Sequence, residues 1–143
     1  MKETEETEKV ENALIVDASE TVLGRLASFA AKQALLSKNV TILNCNDVII
    51  TGSPKAIIAD YKKTIVRGKG SLKGPYFPRP VEKIVRRTIR GMLPYKKVNG
   101  RKAFKRIYCY AGMPAEYTGK EKITIKQKIP DKFITLAKLC RLL

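Results

Sequence analysis

The chain has 143 residues, enough for one compact domain with a hydrophobic core and too few for two ordinary domains. It carries 29 Lys and Arg residues against 13 Asp and Glu, a net charge of +16, so nucleic acid is the first partner to consider and an anionic membrane surface the second. The sequence contains no histidine, which excludes Ser-His-Asp or Cys-His catalysis and any histidine-ligated metal site, and no apolar run is long enough for a membrane span.

The first twelve residues are acidic and almost without apolar side chains, since they include five Glu and two Lys. A secretory signal needs a basic start and an apolar stretch, and a transit peptide avoids acids, so this segment matches neither. We therefore predict a disordered acidic tail over residues 1–12 of a cytoplasmic protein. Residues 13–143 are predicted to form a single α/β domain, with a C-terminal extension from about residue 115.

The first half of this domain has the pattern of a parallel sheet with helices between its strands. Apolar runs at 13–16, 40–43 and 48–51 predict buried strands. Between the first two runs, apolar residues recur at spacings of three and four over 22–37 and predict an amphipathic helix. Continuous apolar strands separated by such a helix favour a parallel sheet that is covered on both faces.

A second helix is predicted to begin after Gly52, with Ser53 as its N-cap and Pro54 in its first turn. Its buried side is predicted to consist of Ile57, Ile58, Tyr61 and Ile65. The segment 67–80 that follows is rich in Gly and Pro, and irregular segments of this length in a compact domain are often functional. It contains the aromatic pair Tyr76 and Phe77, which can either stack on unpaired bases or pack in the protein's own core.

The clearest helix begins at Pro80 and is closed by Gly91 and Pro94. Its predicted apolar side comprises Val81, Ile84, Val85, Thr88, Ile89 and Met92, and its basic side Lys83, Arg86, Arg87 and Arg90. The basic row is about 10 Å long, enough to span consecutive phosphates of an RNA strand. A purely solubilising surface usually mixes acids with bases, and here Glu82 is the only acid, so we favour RNA contact.

The last third continues the basic run from Lys96 to Arg106 through Asn99 and Gly100. Residues 107–110 are predicted to form a strand. The stretch 120–128 is polar and basic. A final helix is predicted from about residue 131, docked by Phe133, Leu136, Ala137 and Cys140.

The positive charge is concentrated in one stretch, because residues 55–106 hold 17 basic residues against Asp60 and Glu82 alone. Since the balancing acids are missing, we predict that this stretch binds a polyanion. The candidate RNA-binding residues are Lys62, Lys63, Arg67, Lys69, Lys73, Arg79, Lys83, Arg86, Arg87, Arg90, Lys96, Lys97, Arg101, Lys102, Lys105 and Arg106, with Tyr76 and Phe77 as candidates for base stacking.

Other chemistry receives little support from the sequence. The turns at 17–24 and 51–53 follow apolar strands and open helices, but neither GxGxxG nor GxxxxGKS/T is present, so a bound nucleotide is not expected. Nothing in the spacing of Asp17, Asp47 and Asp60 requires acid–base catalysis, and Asp17 is more simply a residue that caps a turn. Because Cys45, Cys109 and Cys140 are far apart and no CxxC pair occurs, a zinc ribbon is excluded and we expect small thiols in a reducing compartment. No cofactor, metal ion or small-molecule substrate is expected.

An ordered set of motifs resembles one known family. The set consists of VLGRLAS at 22–28, the strand-like segments 40–44 and 49–52, RGMLP at 90–94, Gly100-Arg101 and IYCYAG at 107–112. Over about residues 13–115 it is similar to the thirteenth protein of the large ribosomal subunit, a universal family. The segments 67–70 and 78–80 resemble the archaeal branch.

This resemblance implies a three-layer α/β/α domain with a mainly parallel four-stranded sheet. It also implies a non-catalytic protein of the large subunit that binds large-subunit ribosomal RNA beside neighbouring ribosomal proteins and joins the subunit early in assembly. The alternatives from the residues alone are an RNA-binding module that acts off the ribosome and an RNA-acting enzyme. The absent histidines and phosphate loop argue against the enzyme.

Overall fold

The computed structural model describes residues 13–67, 70, 73–125 and 127–143, so the predicted acidic tail and Lys69 lie outside the described residues. The helices described are α1 (Leu23–Leu35), α2 (Pro54–Val66), α3 (Val81–Met92), α4 (Val98–Lys105) and α5 (Leu136–Leu142). The strands described are β1 (Ala13–Asp17), β2 (Asn39–Leu43), β3 (Ile49–Thr51), β4 (Ile107–Cys109), β5 (Ile123–Thr124) and β6 (Phe133–Thr135).

The main sheet has the strand order β4-β2-β1-β5. All of its neighbours are parallel: β1 pairs with β2 from Ala13 opposite Asn39 to Asp17 opposite Leu43, β4 pairs with the outer side of β2, and β5 pairs with the other side of β1. The α/β class and the mainly parallel four-stranded sheet are therefore confirmed.

The two faces of this sheet are covered differently. Val16, Val40 and Ile42 share one face and belong to the large core cluster formed with α1, α3, α4 and α5. On the opposite face, Ile15 and Leu43 pack against Tyr117, which lies in a short 3-10 turn at Ala115–Tyr117. The α-helices that carry basic residues on their outer sides are therefore attached to the first face.

Two details of the sheet differ from the prediction. The run at 48–51 does form a strand, but β3 pairs antiparallel with β6 in a separate two-stranded sheet. The fourth position of the main sheet is taken by β5, from the polar stretch 120–128, in which Ile123 pairs with Val16. The reason is that a left-handed residue, Asn44, and a 3-10 turn redirect the chain after β2, so β3 leaves the plane of the main sheet.

The C-terminal region also corrects the prediction of a helix from residue 131. The chain first forms β6, and α5 begins at Leu136. Phe133 is in the strand and 38% exposed, so it does not dock the helix, whereas Leu136 and Leu139 are fully buried. The prediction failed because residues 133–135 pair with β3, a distant segment of the chain, and local apolar spacing carries no signal for such pairing.

Asp17 caps the turn after β1, as predicted. Its Oδ1 accepts hydrogen bonds from the Ser19 amide at 3.0 Å, the Ser19 hydroxyl at 2.7 Å and the Asn44 side-chain amide at 3.0 Å. Burial raises the pKa of this carboxyl, but the hydrogen bonds from Ser19 and Asn44, together with the nearby charge of Lys122, outweigh burial, and the net pKa lies below its ordinary value. The carboxylate thus joins the carboxyl ends of β1 and β2.

Candidate nucleic-acid interface

Helix α3 is the element that places the predicted basic row. Pro80 occupies its N-cap position, where a fixed φ and a missing N–H cost nothing. Val81, Ile84, Val85 and Ile89 are buried, so the predicted apolar side is largely confirmed. Met92 is an exception at 44% exposed, because it is the last residue of the helix, beside an open groove with Leu35 and Leu36.

The three arginines on the opposite side of α3 each lie over an aromatic ring. The guanidinium carbon of Arg86 is 4.6 Å from the centre of the Phe104 ring. That of Arg87 is 4.6 Å from the centre of Phe77, and that of Arg90 is 5.2 Å from the centre of Tyr95. These distances are within the range of cation–π contacts. Lys83 and Arg90 are exposed at the outer side of the helix, and Arg86 and Arg87 are half-buried.

Helix α4 and the segment before it extend this basic side. Lys96, Lys97, Arg101, Lys102 and Lys105 are all exposed. We call these five residues, together with Lys83, Arg86, Arg87 and Arg90, the cationic surface. The sequence pattern did not predict helix α4, because Asn99-Gly100 is typical of a turn.

Arg106, a predicted RNA-binding residue, also forms a hydrogen bond within the fold. It is half-buried, and its Nη1 donates a hydrogen bond of 3.3 Å to the carbonyl oxygen of Ala34, in the last turn of α1. A cation is favourable at that position because the carbonyl groups at a helix C-terminus carry partial negative charge. Arg106, the residue before β4, therefore joins the end of α1 to the start of that strand, in addition to its predicted role.

The other predicted cations that the structure describes precede α3 in the chain. Lys62, Lys63, Arg67, Lys73 and Arg79 are exposed. Within the described residues, none of these five side chains forms a hydrogen bond or ring contact with the α3 arginines. Helix α2 approaches α3 through Tyr61 and Phe77, and a shallow cavity of about 260 Å³ lies between the two helices, lined by Asp60 and Arg87 among others.

The two aromatic residues predicted either to stack on bases or to pack in the core, Tyr76 and Phe77, lie in different environments. The rings of Phe77 and Tyr61 meet edge to face, with centres 5.5 Å apart and planes at 89°. Phe77 also packs against the core cluster, so it takes the packing alternative. Tyr76 is 66% exposed and stays a candidate for base stacking.

Two residues of this region were missed by the sequence-based prediction, Tyr95 and Phe104. They contact arginines that lie five and eighteen positions earlier in the chain, on a different element. Helical periodicity relates only residues of one helix, so it carries no signal for these pairs. Their only sequence signal is that an aromatic residue occurs within a basic run.

The fold and this surface define a class of protein: a small, strongly cationic α/β protein whose parallel sheet supports a helical basic side. Within the described residues, no helix is long and apolar enough to cross a membrane. A family model described as ribosomal protein L13 matches residues 11–116. The chain belongs to the ribosomal protein L13 family, as its motifs indicated.

Archaeal relatives are similar to most of the chain. The large ribosomal subunit protein uL13 of Methanocaldococcus jannaschii is 45% identical over 132 residues, which cover 89% of this chain and 94% of the relative. The protein of the same name from Archaeoglobus fulgidus is 39% identical over 135 residues, covering 90% and 86%. That of Methanosarcina barkeri is 44% identical over 112 residues, covering 78% and 79%. The resemblance to the archaeal branch is therefore confirmed.

Proposed function

We propose that this chain is a non-catalytic component of the large ribosomal subunit in the cytoplasm, and that it binds large-subunit ribosomal RNA and assists subunit assembly. Membership of the L13 family supports the ribosomal part of the proposal, because the archaeal relatives are named large ribosomal subunit proteins. The RNA part is carried by one observation: α3 directs its apolar side into the core and presents a row of four cations on the other side.

The cationic surface suits a phosphate backbone. Arginine binds phosphate through paired, charge-assisted hydrogen bonds, and lysine adds a looser point charge. Contacts of this kind recognise the shape and backbone of folded RNA more than its sequence. Where the bound phosphates belong to different RNA segments, this surface holds those segments together, which is the basis of the proposed assembly role.

The ribosomal part is tested by sedimenting a lysate of cells that make this protein, at low and at high salt. We expect the protein to migrate with large subunits in both conditions. A free pool in the light fractions at both salt concentrations would instead favour an RNA-binding module that acts off the ribosome.

The RNA interface is tested by reversing the charges of Lys83 and Arg90, whose replacement leaves the buried side of α3 unchanged. The Lys83→Glu/Arg90→Glu protein is expected to bind large-subunit ribosomal RNA more weakly. The dependence of log affinity on log salt concentration is expected to become shallower by roughly one unit for each phosphate that the variant no longer binds.

A matched control changes the net charge equally at another place. Lys128 and Lys138 lie outside the cationic stretch, and Lys128→Glu/Lys138→Glu removes the same amount of positive charge. We expect a much smaller decrease in affinity from this control. Equal decreases from both variants would mean that only the total charge matters and that α3 is not the interface.

A further inference from the structure

We propose that Phe77, Tyr95 and Phe104 are positioning residues for RNA phosphates, because each ring holds the guanidinium of one α3 arginine in place. This inference rests on the proposed RNA-binding function and specifies how its arginines work. The three rings come from three different segments: the stretch before α3, the connection after it, and α4. Each segment supplies one ring to one arginine of the row.

A ring below a guanidinium leaves its hydrogen-bonding groups available. The N–H groups of arginine point outward in the plane of the guanidinium, and an aromatic ring covers only one face of that plane. Arg90, whose guanidinium carbon lies over the Tyr95 ring, remains exposed, and Arg86 and Arg87 remain partly exposed. An arginine that lies over a ring in this way keeps N–H donors for a phosphate.

A carboxylate would also order an arginine, but it would neutralise the charge and repel the phosphate. Among the residues that the structure describes, no ion pair is formed by Arg86, Arg87 or Arg90. The Nε of Arg86 is buried, and none of the described residues supplies an acceptor for it. The Phe104 ring, rather than an acceptor group, therefore orders this end of the side chain while the positive charge is kept.

The ring contacts reduce the conformational entropy that the arginine side chains lose when RNA binds. A free arginine side chain has many rotamers, and fixing them when RNA binds reduces affinity. An arginine already held on a ring gives up fewer rotamers on binding. Lys83 has no ring contact within the described structure, so its contribution to RNA affinity is expected to be independent of the three aromatic residues.

The test is a double-mutant cycle on the full-length protein, with a transcript of large-subunit ribosomal RNA as the probe. Phe104→Leu keeps every positive charge, so we expect RNA affinity to fall about two- to tenfold with no change in its salt dependence. Arg86→Lys keeps the charge but not the planar group, and a comparable decrease is expected. The double variant should bind little more weakly than either single variant, because both changes remove the same interaction.

Tyr95 allows the same cycle with Arg90 at a ring that is 43% exposed, where a folding defect is not expected. Tyr95→Leu should reduce RNA affinity, whereas Tyr95→Phe, which keeps the ring, should retain it. Phe133→Leu is the control, since Phe133 is a comparably exposed ring on β6 that stacks on no arginine in the described residues. It should leave affinity unchanged.

Two results would overturn the inference: decreases in affinity that simply add in both double variants, or Tyr95→Leu and Phe104→Leu proteins that bind RNA as tightly as the unsubstituted chain. If the proposed RNA-binding function itself is wrong, the measurements give a different result. In that case the unsubstituted chain itself does not bind the transcript, or reversal of Lys83 and Arg90 has no more effect than the Lys128/Lys138 control.

Discussion

At the scale of single residues, Gly100 shows how tightly the connection between α3 and α4 is folded. It is buried in α4, and a Cβ at this position would overlap the carbonyl group of Pro94 and lie 2.9 Å from the Tyr95 amide nitrogen. The obstructing atoms are backbone atoms and cannot move aside as a flexible side chain does. Glycine is therefore required here for close approach rather than for an unusual backbone angle.

We predict that Gly100→Ala lowers the free energy of unfolding by about 1–3 kcal/mol, the usual cost of overpacking. Gly91→Ala is the matched control, because Gly91 lies in α3 with no atom within 4 Å of a Cβ. That change is expected to be neutral or to stabilise by about 0.5–1 kcal/mol, since alanine favours a helix. Denaturant unfolding of both variants measures the difference, and similar stabilities for the two would contradict the close approach.

For the α3 arginines, the sequence predicts the charge and the side of the helix but not the ring contacts. The charge of Arg86, Arg87 and Arg90 and their common side of α3 follow from composition and helical spacing. Their contacts with rings do not follow, because Phe104 reaches Arg86 only after α4 has folded against α3. Tertiary contacts between different elements have no local pattern, so the rings can be found only in the structure.

At the scale of elements, prediction succeeded where a pattern was long and failed where an element was short. Helix α3 spans twelve residues with a clear separation of apolar and basic sides, and its bounds agree with the prediction. Strand β5 has only two residues in a polar, basic stretch, and it exists because the edge of β1 offers hydrogen-bonding groups. Its formation depends on a partner far away in the chain, which local propensity does not describe.

Helix α5 is short, but its docking makes it part of the core. Leu139 is fully buried, whereas Leu142, one turn further along, is 45% exposed. We predict that Leu139→Ala lowers the free energy of unfolding by about 2–5 kcal/mol, because a cavity is left in the core. Leu142→Ala should change it by only about 0.5 kcal/mol. Chemical denaturation of the two variants checks this, and equal, small effects would show that α5 contributes little to stability.

At the scale of the whole molecule, structural and charged regions are separated along the chain. Residues 13–54 hold three basic and three acidic residues and supply α1, β1, β2 and β3, while residues 55–106 carry the excess of cations. The buried sides of α3 and α4 join the second region to the first through a common core. The nearly neutral part thus provides a support on which mutually repelling charges are held close together.

This arrangement predicts that the free protein becomes more stable as salt is added. Raising the sodium chloride concentration from about 0.01 M to about 0.1 M shortens the Debye length from about 30 Å to about 10 Å, so repulsion across the cationic surface is screened. The thermal midpoint of the free protein should therefore rise over this range. The rise should be smaller in the Lys83→Glu/Arg90→Glu variant, because its surface repels itself less. A midpoint that stays constant or falls with salt in the unsubstituted protein would mean that the close spacing of these charges does not destabilise the fold.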